Sequence, residues 1–491
     1  MESDEIKKTA DLGDRDAMFR YGLILLNNEN DLKKQKKSAQ YFQKSADKGN
    51  IKAMNNYGCM LYEGNIISAD KSKAAEYLQK SADQGNAKAM HNYALMLQQG
   101  DGIPQDKEKA AKYFKKSADL GNIYSMFDYG LILYNGNGIP VNKKEAAKYF
   151  KQASDKGNTN AMNNYANMLR DGDGIAKDKK LAAQYYKRAA DEGNKFSMLN
   201  YSVMLYNGEG IKQNRKAARY YKMAAKLGNS IAMYNYANML HDGDGIEVDK
   251  KEAARYYKMA SDEGNTNAMN NYGNMLYKGD GIKPNPKEAA KYFKMSADGG
   301  NSVAMYTYGV FLYEGLECEE NKAEAAKYFK KSADMGDSES MYTYGILLEN
   351  GEGINMNKAE AAHYYKMAAD LGNSNAMYNY AIMLHNGDGI KEDKKEAAHY
   401  YKMASYEGNT NAMNNFGNML FKGDGIKQDK IEAAKYFKMS ADGGNATAMC
   451  TYGVVLYEGW GIPSDKKEAT KYLKMSAKLG NAEAINFLYG N

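Results

Sequence analysis

The sequence repeats itself every 36 residues, and this period limits what the chain can fold into more than its length or composition does. A methionine, usually preceded by alanine, recurs at Met18, Met54, Met90, Met126, Met162, Met198, Met233, Met269, Met305, Met341, Met377, Met413 and Met449, and Ile485 takes its place in a last, truncated copy. Every interval is 36 residues except that from Met198 to Met233, which is 35 because a residue is missing around Lys212. Thirteen copies that confine length variation to a loop are what units stacked in a line allow. A longer period lies over the first: NTNAMNNYGNMLYKGDGIK from Asn265 returns from Asn409 as NTNAMNNFGNMLFKGDGIK, four units later. A block of units was duplicated as a piece, which a modular architecture tolerates.

Each copy holds two helical patterns. In the copy at Met269, Ala268, Met269, Tyr272, Gly273, Met275 and Leu276 share one face of a 3.6-residue helix, and the small Ala268 and Gly273 let a neighbouring helix come close. A second pattern places Ala289, Ala290, Tyr292, Phe293, Met295 and Ala297 on the partner face, with lysines between them. The second helix usually opens on Asp or Asn with Glu three residues later, as in Asn142/Glu145, Asp249/Glu252, Asn321/Glu324, Asn357/Glu360, Asp393/Glu396, Asp429/Glu432 and Asp465/Glu468, the pattern of a capping box. In Asn285-Pro286 the proline takes the first helical position, where its missing N–H is harmless. The second helix closes on a glycine in every copy, from Gly49 to Gly480. No β-alternating run appears, so the fold expected is all-α: a right-handed α-solenoid of helix–turn–helix repeats. Residues 1–15 are expected to be a partial N-terminal helix of the array, with Glu5 to Ala10 the tail of a second helix, and residues 16–491 the solenoid itself.

Composition narrows the function classes. The chain carries 67 Lys and Arg against 61 Asp and Glu, interleaved along its length, for a formal net charge of +6. No basic tail or block is present, so nucleic acid is not an expected partner. The three cysteines, Cys59, Cys318 and Cys450, are widely spaced and unpaired in pattern, which argues against a disulfide framework or a zinc site and for a reducing compartment. The start, Met1-Glu2-Ser3-Asp4-Glu5, is acidic where a signal peptide needs a basic segment, and no apolar stretch approaches the ~18 residues needed to span a bilayer. The expected setting is cytoplasmic, without membrane insertion.

Several motifs imitate chemistry. Gly-x-Gly follows the first helix in ten of thirteen copies, as at Gly172-Asp173-Gly174, Gly279-Asp280-Gly281 and Gly423-Asp424-Gly425, but no strand precedes it and no third glycine opens a helix, so it is not a dinucleotide fingerprint. The first glycine ends the first helix and the second turns the chain back. The acidic loops around Asp171 and Asp242 lack the alternating ligands and closing Glu of a calcium loop. The five histidines, His91, His241, His363, His385 and His399, do not form a converging set. Trp460, between Gly459 and Gly461, is expected to be exposed or to cover the terminal unit. The Tyr and Met stripes read as core. No catalytic, metal or cofactor-binding residue is assigned, no cofactor or small-molecule substrate is expected, and the chain is not expected to be an enzyme.

One surface remains. Positions one, two and five after the anchor methionine are expected to point away from the packed face, and in three copies all are asparagine: Asn163, Asn164 and Asn167; Asn270, Asn271 and Asn274; Asn414, Asn415 and Asn418. An amide both donates and accepts, so a ladder of them can hold an extended peptide backbone. The other reading is that asparagine is merely tolerated on a solvated face of an Asn-, Lys- and Tyr-rich chain.

The order Tyr-Gly or Tyr-Ala, Met-Leu-Tyr, Gly-x-Gly-Ile, Asp-Lys-Lys-Glu-Ala-Ala, Tyr-Tyr or Tyr-Phe, and Ser-Ala-Asp-x-Gly-Asn resembles the Sel-one-like repeat (SLR) family, relatives of tetratricopeptide repeats, from about Asp16 to the end. The loops after Leu26, Tyr62 and Tyr313 depart from it by lacking the second glycine. The resemblance implies a non-enzymatic scaffold or adaptor that binds other proteins or peptide segments along the first helices. Its alternative implication is an adaptor subunit of a signalling complex or of a ubiquitin ligase for endoplasmic-reticulum-associated degradation, a class that would need an entry signal and usually an anchor, neither of which the sequence shows.

Overall fold

The structure of the protein, a computed structural model, describes residues 2–27 and 31–490; Met1, residues 28–30 and Asn491 lie outside the described residues, and with residues 28–30 most of the loop after Leu26. Among the described residues there are 28 helices and no strand. They form two compact halves, Met1–Glu247 and Val248–Asn491. Within each half a helix packs on the one before it and the one after it, so the packing is a line of neighbours.

The repeat at Met269 serves as the type. Its first helix is Thr266–Lys278 and its second Pro286–Asp298. Asn265 caps the first, its side-chain oxygen accepting from the Ala268 N–H at 3.0 Å, and Gly279 ends it at φ 71°, a left-handed conformation that a side chain would strain. Glu2–Asp11 corresponds to a second helix preceding the first repeat, and Ala482–Tyr489 to the first helix of the truncated copy.

The caps of the second helices differ from the expected box in one arm. The side chains of Asn142, Asp249, Asn321, Asn357, Asp393, Asp429 and Asp465 do accept from the N–H three residues on. The cap's own N–H, which a capping box would give to the Glu, instead donates to a leucine carbonyl of the preceding helix: Asn142 to Leu133 at 2.8 Å, Asn357 to Leu348 at 2.8 Å and Asp465 to Leu456 at 3.0 Å. The loop brings the cap within reach of an orphan carbonyl at the first helix's C-terminus, and one bond satisfies both ends. The freed glutamates accept from the cap's amide, as Asn285 Nδ2 to Glu288 at 2.7 Å, or from lysine, as Lys435 to Glu432 at 2.8 Å.

Inside the pair, a Cβ on Gly273 would stand 2.8 Å from Cε1 of Phe293, so the glycine makes room for the ring. Met295, read above as core, is 50% exposed. The next residue, Ser296, is buried in its place, its hydroxyl donating to the Thr266 carbonyl at 2.8 Å. After the residue missing near Lys212 the second helix, Ala217–Lys226, has only 10 residues, and Asn214 accepts from the N–H two residues on, Lys216, at 2.9 Å.

Candidate functional site

The residues repeated most faithfully are used between repeats. The tyrosine of the second helix stands edge-on to a tyrosine of the first, as Tyr57 and Tyr77 at 5.0 Å and Tyr308 and Tyr328 at 5.1 Å. Its hydroxyl donates to the aspartate that ends the preceding second helix: Tyr77 to Asp47 at 2.6 Å, Tyr149 to Asp119 at 2.8 Å, Tyr328 to Asp298 at 2.6 Å and Tyr472 to Asp442 at 2.6 Å. The bond from Tyr328 holds the Asp298 carboxyl below its ordinary range, while burial, then Asp298, pushes the Tyr328 phenol up.

The Gly-x-Gly loop is a second clasp. Its acidic residue pairs with the lysine that opens the preceding second helix, as Lys143 with Asp173 at 2.8 Å, Lys250 with Asp280 at 2.7 Å and Lys394 with Asp424 at 2.9 Å. Lys143, then Tyr134, lowers the Asp173 pKa. The second glycine does more than turn the chain: a Cβ on Gly174 would fall 2.5 Å from Cβ of Lys143. Where Pro286 replaces the lysine, the next loop has Leu316 and Glu317 in place of the acid and the glycine, and Glu317 keeps φ at 56°. In the last loop Trp460 replaces the acid. It is 41% exposed and leans back on Phe421 of the preceding repeat, with ring centroids 5.6 Å apart, instead of covering the terminal unit.

The asparagines do not form an outward ladder. Asn270 and Asn414 are buried, each with its side-chain oxygen unpartnered, while Asn163, Asn164, Asn167, Asn271, Asn274, Asn415 and Asn418 are half-buried. Position one faces the first helix of the next repeat. Asn163 accepts from Ser197 Oγ at 3.1 Å and from Asn200 Nδ2 at 3.1 Å, Asn167 accepts from Tyr186 at 2.5 Å, and Asn92 donates to Asn55 at 3.3 Å. Much of this amide capacity is spent joining repeats. A signal for it was present in the sequence: His91 and Asp128 replace the two interacting asparagines together and lie 3.6 Å apart.

His91 Nδ1 also lies 3.0 Å from Ser125 Oγ, but both partners approach the same ring nitrogen, so no Ser-His-Asp relay exists. His241 pairs with Asp242, and His385 with Asp424. Among the described residues no cluster of His, Cys, Asp and Glu could hold a metal ion, and no helix is long and apolar enough to cross a membrane. What the first helices do offer, in the N-terminal half, is an open groove of about 700 Å³ walled by Phe19, Leu23, Ile51, Asn55, Asn56 and Lys88 among others. It mixes apolar, amide and cationic groups; binding along the first helices was expected, but this lining was not legible, because its walls come from successive repeats.

Comparison with known proteins agrees with this architecture. The family model described as Sel1 repeat matches thirteen consecutive segments, from 15–50 to 446–481. The solved structure of c5321, a protective antigen of uropathogenic Escherichia coli strains displaying an SLR fold, is similar with a TM-score of 0.74 and 24% identity, over 92% of this chain and 98% of that one. A Sel1 repeat protein from Oxalobacter formigenes aligns at 24% identity over 62% of this chain and 89% of its own, with a TM-score of 0.49. No curated protein matches the sequence. With its repeats matched one after another from residue 15 to residue 481, the chain belongs to the Sel1 repeat family.

Proposed function

We propose that this protein is a scaffold that holds an extended segment of a partner protein against its first helices. The fold is that of repeat solenoids, which generally serve as protein-interaction scaffolds and are typically non-catalytic. The groove of about 700 Å³ carries the reading. Phe19, Leu23 and Ile51 give it an apolar floor, and Asn56 and Lys88 supply groups that bind backbone carbonyls or carboxylates, with the buried Asn55 supporting Asn56 from behind through a bond of 3.2 Å. In the other copies the half-buried Asn164, Asn271 and Asn415 hold the repeat position of Asn56, whereas Asn270 and Asn414, at the position of Asn55, are buried supports.

Selection of displayed, unstructured peptides on the immobilised protein tests the proposal. Peptides enriched on the wild type should be lost on Asn56→Ala/Lys88→Ala, with circular dichroism confirming an intact fold. Equal enrichment on the variant removes this groove as the docking surface.

A further inference from the structure

One position of the second helix holds an aromatic ring in eleven of thirteen repeats: Phe42, Phe114, Phe150, Tyr186, Tyr221, Tyr257, Phe293, Phe329, Tyr365, Tyr401 and Phe437. Each is almost wholly buried. The exceptions are Leu78 and Leu473. Leu473 clusters with Cys450, Val454 and Leu488 at the end of the array. Beside Leu78 there is a cavity of about 210 Å³, lined by Cys59, Tyr62, Leu78, Asn92, Leu95 and Met96 among others.

The other repeats show what this space accommodates. Counted from the anchor methionine, Cys59 and Tyr62 are positions five and eight of their own repeat, and Asn92 and Met96 are positions two and six of the next. Elsewhere the buried ring reaches these same positions. Tyr186 donates to Asn167, at position five, at 2.5 Å, and Phe437 lies 6.3 Å from Phe421, at position eight. Phe293 lies 5.3 Å from Phe311, at position six of the next repeat. The amides of Asn235, Asn379 and Asn415, all at position two of the next repeat, lie beside Tyr221, Tyr365 and Tyr401 and partly offset the rise that burial imposes on these phenols. The cavity at Leu78 is the seat of a ring that the chain does not supply.

We propose that this cavity is a binding pocket for one benzene-sized aromatic group, a phenol above all, whose hydroxyl would meet Asn92 as the internal tyrosines meet its counterparts. An apolar cavity of ~150 Å³ is already enough to take benzene. The ring's source rests on the scaffold reading: a phenylalanine or tyrosine of the bound segment, seated beside the groove that shares the first helices of these repeats.

The test is methyl-selective NMR of the full chain titrated with p-cresol. Saturable shifts are expected at the methyls of Leu78, Leu95 and Met96, and are expected to vanish in Leu78→Phe. That variant should fold, because its ring would face Gly58 as Phe150 faces Gly130, and circular dichroism checks it. A Leu78→Ala variant, which enlarges the pocket, should keep the shifts. Absence of saturable shifts in the wild type, or their persistence in Leu78→Phe, overturns the pocket. A short peptide with a central phenylalanine, against its alanine counterpart, separates the two sources. Shifts that also reach Leu23 and Ile51 support the pocket together with the scaffold reading. Binding of p-cresol without the peptide supports a free aromatic ligand and counts against that reading alone.

Discussion

Asp128 stands where a sister repeat places Asn92, and burial raises its carboxyl from 3.8 to about 6. His91, 3.6 Å away, is itself lowered by burial and gives little compensating charge near neutrality. The folded chain therefore holds a proton at Asp128 more tightly than the unfolded chain does. Ionisation opposes folding above about pH 6, and the penalty fades as pH falls toward 3.8. Asp128→Asn should stabilise the protein at pH 8, by no more than about 3 kcal/mol for a shift of this size, and the gain should shrink by pH 4. Urea unfolding at the two pH values measures both; an equal gain at each would assign the effect to packing. The sequence shows that His91 and Asp128 depart from the asparagine pattern, but their contact is between repeats and becomes visible only in the fold.

The clasp between successive elements separates two contributions that sequence alone joins in one motif. Lys143 and Asp173 are each more than a quarter exposed, so their pairing is screened and Lys143→Ala should cost little stability, less still in high salt. Gly174 is at φ 76° and would place a Cβ against the Lys143 backbone and side chain, so Gly174→Ala should cost more than ~2 kcal/mol. Guanidinium unfolding of the two variants tests the order, and a larger loss for Lys143→Ala would make the ion pair the main restraint. The glycine's role in turning the chain back was legible from its place two residues after the helix stop at Gly172. Its role as a contact was not, since the residue it touches lies 31 positions earlier in the chain. The capping box was half-legible for the same reason: the side-chain arm is local, whereas the cap N–H goes to a carbonyl that only the folded loop brings near.

At the scale of the molecule, helices touch their neighbours in sequence within each half, so long-range closure contributes little to stability. The segment Val248–Asn491, whose core runs without interruption from Leu276 to Tyr472, should therefore fold when expressed alone. Helical circular dichroism with cooperative urea unfolding is the expected result; a disordered spectrum would show that this half depends on the other. The sequence by itself determined the period, the two helices of each repeat, their glycine stops and the all-helical class, because each follows from spacing and backbone chemistry within one repeat. Only the tertiary structure decided which way Asn270 and Asn414 face, which carbonyl each cap finds, and that the space beside Leu78 is open. Those outcomes are set by the repeat next door, whose surface a single copy's periodicity does not describe.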